Sequence, residues 1–189
     1  MSATPIPAEE LHRLSVDDYH RLVDSGGLED ARVELIDGLV VDMSPKNPEH
    51  EYVVVWLMRW LTAKLDFSAC DLLMSGSLTL GSSELQPDLA VVRRWTTPSA
   101  HPSSALLVIE VARSSRVRDL ETKPAVYAPY VAEYWVVELD HRRVVVHRDP
   151  AGDGYASLTV VDDGTMVAPR AIAIGDLDTA ALFAAALGA

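Results

Sequence analysis

The stretch LLVIEVARSS, residues 106–115, decides the fold. Five of the six residues from Leu106 to Val111 are apolar, the pattern of a strand buried on both faces. Glu110 sits among them, and a carboxylate there is costly to bury unless something pairs with it. Upstream, QPDLAVV at 86–92 repeats the arrangement, with Asp88 leading the apolar run Leu89, Ala90, Val91, Val92. If the two strands pair, both carboxylates converge at one edge of a sheet. Like charges in contact repel and raise one pKa unless a cation lies between them. A hard divalent cation resolves that conflict. Mg²⁺ takes one or two carboxylates, keeps several waters and leaves room for phosphate oxygens.

Working outward, SVDDYHRLVDSGG reads as a short helix with Ser15 as N-cap, Asp18 three residues on and Gly26-Gly27 as its stop. RVELIDGLVVDM reads as a hairpin turning at Asp37-Gly38. EHEYVVVWLMRWLTAKLD is the longest helix, with Val53, Trp56, Leu57, Trp60, Leu61 and Leu65 on one apolar face; the Val53–Val55 run leaves a strand open at its start. Strands are expected at 70–75, 77–80 and 88–92, then the strand of the opening. A helix follows within RSSRVRDLETKPAVYAPY. Pro124 restricts the residue before it, which predicts a helix start near Glu121 or Thr122. EYWVVELD and RRVVVHRD predict a second hairpin turning at Asp140-His141, DPAGDG a loop, and YASLTVVDDG a strand and turn. An Ala-rich helix capped by Asp176 or Asp178 closes the chain. This order predicts an α+β fold with a mixed central β-sheet flanked by helices. Residues 1–14 read as a loose arm and 15–189 as a single domain.

The bulk numbers narrow the function. The 189 residues are 49% hydrophobic and 23% charged, the balance of a globular chain able to bury a real core. No apolar run approaches the roughly 20 residues of a membrane span, so no membrane partner is expected. The N-terminal segment lacks the pattern of a secretory signal. One cysteine, Cys70, excludes an internal disulfide and a cysteine-built zinc site; it reads as a buried apolar residue, and the cytoplasm is the expected compartment. A net charge of −12 argues against coating nucleic acid by bulk electrostatics, though not against a locally basic cleft. No phosphate-cradling glycine loop and no GxSxG serine motif occurs. HEYVV is not HExxH, the Asp-Gly loops lack a calcium-loop glutamate, and the remaining histidines read as scattered surface positions.

Pro87-Asp88 followed by Glu110-Val111-Ala112 resembles the PD-(D/E)xK signature of the restriction-endonuclease-like nucleases. The ordered series ELIDG at 34–38, NPEH at 47–50, QPDLAVV, IEVARSSRVRDLETKPAVY at 109–127 and EYW at 133–135 resembles the Uma-two family of that superfamily. The resemblance implies a restriction-endonuclease-like fold and a Mg²⁺- or Mn²⁺-dependent endonuclease. Asp88 and Glu110 would hold the metal, with the Val111 carbonyl as a third ligand. Ala112 stands where the motif lysine would be, and Lys123 matches the lysine that the following helix supplies. Glu34 matches the upstream acidic residue of the same site, and His50 a histidine near the cleft that would approach nucleic acid.

Around these positions Arg113, Arg116 and Arg118 are the expected phosphate contacts, with Arg93 and Arg94 as further ones. Nucleic acid, with DNA as the first expectation, is the implied partner, and a homodimer the implied assembly. Read from the residues alone, Glu34 equally suits a salt bridge, His50 a helix start, Lys123 a solvated helix face and Glu110 a strand end reaching water. A second class therefore stands beside the nuclease: the same fold kept as an inactive binding or dimerisation module.

Overall fold

A computed structural model describes residues 10–29, 31–113 and 117–187. Helix α1 spans Val16–Asp24 and opens with the expected capping box, Ser15 and Asp18 exchanging hydrogen bonds. Strands β1 (Val33–Ile36) and β2 (Leu39–Asp42) form the first hairpin. Its turn residues Asp37 and Gly38 have φ of 47° and 75°, the left-handed pair a tight hairpin turn demands. A Cβ at Gly38 would lie 2.7 Å from the Arg13 Cβ, so the close approach of the chain also requires glycine there. Arg13 and Leu14, expected in a loose arm, are pinned to this turn through the Asp37 carboxylate and the Gly38 carbonyl. Residues 1–9 lie outside the described residues.

Helix α2 runs from Pro48 to Thr62, so the valine run Val53–Val55 is helical. Asn47 caps it and Pro48 occupies its first turn, where a missing N–H costs nothing. Then come β3 (Cys70–Met74), β4 (Leu78–Leu80), β5 (Ser83–Leu85), β6 (Leu89–Arg93) and β7 (Ala105–Ala112). A helical crossover follows: a wide π-type turn over Arg118–Thr122, then α3 over Lys123–Tyr127. Strands β8 (Val131–Glu138), β9 (Arg143–Ala151) and β10 (Gly154–Asp162) are antiparallel neighbours; the short pair β11 (Met166–Val167) and β12 (Leu177–Asp178) and helix α4 (Thr179–Leu187) end the described chain. Asp178, not Asp176, caps α4, accepting from the N–H groups of Ala180 and Ala181.

Two expectations are corrected. DPAGDG is not a loop: β9 continues to Ala151 and β10 resumes at Gly154, so only Gly152 and Asp153 turn. Strand β5 and the β11–β12 pair carry no period long enough to be read. The regular α-helix starts at Lys123 with Pro124 in its first turn, close to the expected Glu121 or Thr122, but the chain before it is already helical by Arg118 as a wide turn in which the Lys123 N–H reaches back to the Arg118 carbonyl.

Six strands form the central sheet in the order β10-β9-β8-β7-β6-β3, mixed because β7 and β8 run parallel across the crossover. A second, four-stranded sheet has the order β2-β1-β5-β4. One face of the central sheet presents Leu89, Val91, Leu107, Ile109 and Val111 to α2 and α4. The other presents Ala90, Val92, Val108 and Ala112 to α3 and the small sheet. Glu110 and Asp88 belong to this second face by alternation. Cys70 is buried in the helix-covered core, and Trp56 and Trp60 pack against it as core. Glu133 of EYW is wholly buried on the helix-covered side, held by the Trp135 indole, Arg148 and the Arg170 N–H, which makes it an architectural anchor.

Candidate functional site

Strands β6 and β7 are antiparallel with Leu89 opposite Ile109. The next step of that register sets Asp88 against Glu110, at the end of β6 where the ladder opens. The two residues interlock through the backbone. Asp88 N–H donates to Glu110 Oε2 at 3.2 Å, and Val111 N–H donates to Asp88 Oδ2 at 2.9 Å. Both are 4% exposed, so each carboxylate needs a partner.

Each has cationic ones. Lys123, carried in by the crossover, places Nζ 2.6 Å from Glu110 Oε1, 3.4 Å from Asp119 Oδ1 and 3.5 Å from Glu34 Oε1. Pro124 does not carry Lys123 away from the site. The Tyr127 hydroxyl, one helical turn on, donates to the same Glu110 oxygen at 3.0 Å. Glu34, on β1, also accepts from Gln86 N–H, tying the small sheet to the start of β6. Asp88 meets Lys46 Nζ at 2.8 Å through Oδ1 and His50 Nε2 at 2.9 Å through Oδ2. Asn47 sits between those two and fixes His50 at the start of α2, accepting its N–H at 2.8 Å.

The electrostatics follow from these neighbours. Burial alone would raise Asp88; the His50 and Lys46 contacts outweigh it and bring it down to about 2. Burial raises Glu110, Lys123 opposes, and Asp119, Asp88 and Glu34 add to the rise; the result is about 8. Burial works against the Lys123 charge, but Glu110, Glu34 and Asp119 overcome it and hold the ammonium well above the ordinary lysine range. One buried lysine thus faces three carboxylates, a cluster with room for a further positive charge.

These groups surround a narrow cleft of about 50 Å³ whose walls include Asn47, Gln86, Val111, Arg113 and Arg118. Arg113 is exposed and paired with Glu49 and Asp140; Arg118 donates to the Asp42 carbonyl. Arg116 lies outside the described residues. Arg93 and Arg94 do not join: Arg93 ends β6 at the end away from Asp88, and Arg94, just beyond it, pairs with Asp71. His50 is 9% exposed and turned onto Asp88, so it holds a carboxylate rather than facing outward. Lys46 and Tyr127 escaped the sequence reading, as did the contact of Asp119 with Lys123. Asp119 and Tyr127 stand four residues either side of Lys123, a helical spacing that could have signalled them. The histidines are not all surface residues either: His147 is buried, and His20 and His101 converge on Glu84.

Residues 16–179 match the family model Uma2, described as "Putative restriction endonuclease". No curated protein matches the sequence. Among solved structures, the chain is similar to "a putative nuclease belonging to DUF820" from Anabaena variabilis ATCC 29413, with a TM-score of 0.73, 14% identity, and coverage of 92% of this chain and 99% of that one. It also matches the type IIG restriction endonuclease BpuSI with a TM-score of 0.40 and 16% identity, over 81% of this chain and 18% of that one. At 14% identity the first likeness is one of fold, and the fold is α+β and restriction-endonuclease-like.

Proposed function

The chain belongs to the Uma2 family, and from that premise we propose that it is a divalent-metal-dependent nuclease cleaving phosphodiester bonds of nucleic acid, DNA before RNA. The carrying observation is the convergence of Asp88, Glu110 and Lys123, with Lys123 Nζ 2.6 Å from Glu110 Oε1. The donor set suits Mg²⁺ or Mn²⁺. Two carboxylates from adjacent strands are what Mg²⁺ takes from a protein. Asp88 Oδ1 already binds a cation, the Lys46 ammonium at 2.8 Å, which stands in for a metal there. Asp88 and Glu110 would hold the ion, with the Val111 carbonyl beside them. The ion, when bound, would supply an activated water and polarise the phosphate.

The protein's own groups do the rest. His50 and the Val111 N–H fix Asp88 in one orientation. Lys123 stays charged and can neutralise the developing negative charge on phosphorus-bound oxygens. Glu34 orients Lys123, and Tyr127 orients Glu110. Arg113 and Arg118 at the mouth would contact flanking phosphates. Two-fold pairing would present two such clefts to two strands.

The test is cleavage of duplex DNA, single-stranded DNA and RNA with Mg²⁺ or Mn²⁺. Wild type is expected to cut at least one of them. Asp88→Ala is expected to remove the activity, and Lys123→Ala to lower it by about 10²–10³-fold, the cost of one charge-stabilising donor. A folded wild type that cuts none with either ion would sink the reading. A second reading, a binding module without hydrolysis, is favoured by Lys46 seated on Asp88 and by alanine at position 112. It predicts nucleic-acid binding unaffected by either metal.

A further inference from the structure

We propose that His20, Glu84 and His101 form a second metal site, for one divalent transition ion of the zinc type, apart from the cleft at Asp88. The three donor atoms lie within 4.8 Å of one another, and no other group of three such residues does so among the described residues. His20 Nε2 is 2.5 Å from Glu84 Oε2, and His101 Nε2 is 4.0 Å from Glu84 Oε1. Zinc bound tetrahedrally at about 2.0–2.2 Å holds its ligands about 3.3–3.5 Å apart, so small side-chain rotations bring all three into place.

The site is built rather than accidental. Glu84 is 6% exposed, and among the described residues neither lysine nor arginine pairs with it. Its charge faces two imidazoles and the Thr79 hydroxyl, which donates to Oε2 at 3.2 Å from the neighbouring strand. A buried carboxylate wants a cation. Two imidazoles and a carboxylate are the donor set that zinc-type ions prefer and Mg²⁺ does not.

Both histidine-bearing segments are tied to the same small sheet. The Tyr19 hydroxyl, beside His20 on α1, donates to the Val33 carbonyl at 3.2 Å. Thr79 N–H donates to the Pro102 carbonyl at 3.0 Å, fastening the segment that carries His101. The two rings lie 6.2 Å apart, edge to face, each side chain 42% exposed toward a cavity of about 1010 Å³. That opening supplies an entry path and a fourth coordination position for water or a small anion. Three ligands from α1, β5 and the segment before β7 would be joined by one ion.

The proposal does not depend on the nuclease reading, and its test needs no cleavage assay. Chelator-treated full-length protein is titrated with Co²⁺ and Zn²⁺, following the visible absorption of low-coordinate Co²⁺ and the Tm. Wild type is expected to bind one equivalent of Co²⁺ with that absorption, displaced by Zn²⁺ and not by excess Mg²⁺, with a higher Tm on binding. His101→Ala, on an exposed segment, should weaken binding at least about tenfold and lose the absorption, and Glu84→Gln should do the same. Asp88→Ala should keep both. Absent absorption in wild type, its survival in His101→Ala, or its loss in Asp88→Ala would overturn the proposal.

Discussion

Glu110 turns the central strand into a proton-sensitive element. Its carboxyl ordinarily titrates near 4.5 and is raised to about 8 here, chiefly by burial and then by Asp119, Asp88 and Glu34, against the pull of Lys123. Between those two pH values the folded chain holds a proton that the unfolded chain has released. The stability this contributes is complete below about 4.5 and is lost as pH rises through about 8. Asp88 works in the other direction and elsewhere: lowered to about 2, it contributes fully above its ordinary 3.8 and fades only as pH falls through about 2. Comparing urea midpoints of metal-free wild type and Glu110→Gln across pH 5 to 9 isolates Glu110, since His147, also shifted, is common to both. The wild type should lose stability relative to the variant as pH rises over this window. Parallel curves would show that Glu110 keeps its ordinary titration.

At the scale of elements, the start of α2 sets one whole side of the site. Asn47 caps the helix, with Lys46 before it on one Asp88 oxygen and His50 after it on the other. Asn47→Ala removes the side-chain acceptor of the His50 N–H. It should cost about 1 kcal/mol, or about 2–4 °C of Tm by calorimetry; an unchanged Tm would mean the cap carries no energy. Features written in one stretch of chain were readable in this way. The capping box at Ser15, the turn at Asp37-Gly38, the strand that follows Asp88 and the strand that contains Glu110 all follow from local pattern. Features made by distant contacts were not. Strand β5 is three residues long and takes its meaning from pairing with β1 and β4. Lys46 belongs to a loop whose sequence, SPKNP, says nothing about Asp88. His20 and Glu84 stand 64 positions apart and meet through tertiary packing alone. The crossover was half legible: Pro124 marks the start of the regular α-helix, whereas the wide turn over Arg118–Thr122 that precedes it has no local signature.

For the molecule as a whole, the question is how a chain of net charge −12 would hold a polyanion. A net charge of this sign offers no bulk attraction, so the proposed grip would come from the cations that line the cleft, among the described residues Lys46, Arg113, Arg118 and the buried Lys123. Each already has a partner. Arg113 would leave Glu49 and Asp140, Arg118 the Asp42 carbonyl, and Lys46 would yield Asp88 to a metal. Exchange of ion pairs lowers affinity, and a small number of phosphate contacts makes its salt dependence shallow. With two or three contacts on duplex DNA, log K against log salt should have a slope of about −2 to −3. Arg113→Ala should reduce that slope by about 1 and weaken binding about equally across sequences, because a phosphate contact carries no base information. Fluorescence anisotropy of labelled duplexes, with Asp88→Ala to prevent cleavage, measures both quantities. A slope steeper than about −6 would require more phosphate contacts than the cleft cations supply, and would move the nucleic-acid path away from this cleft.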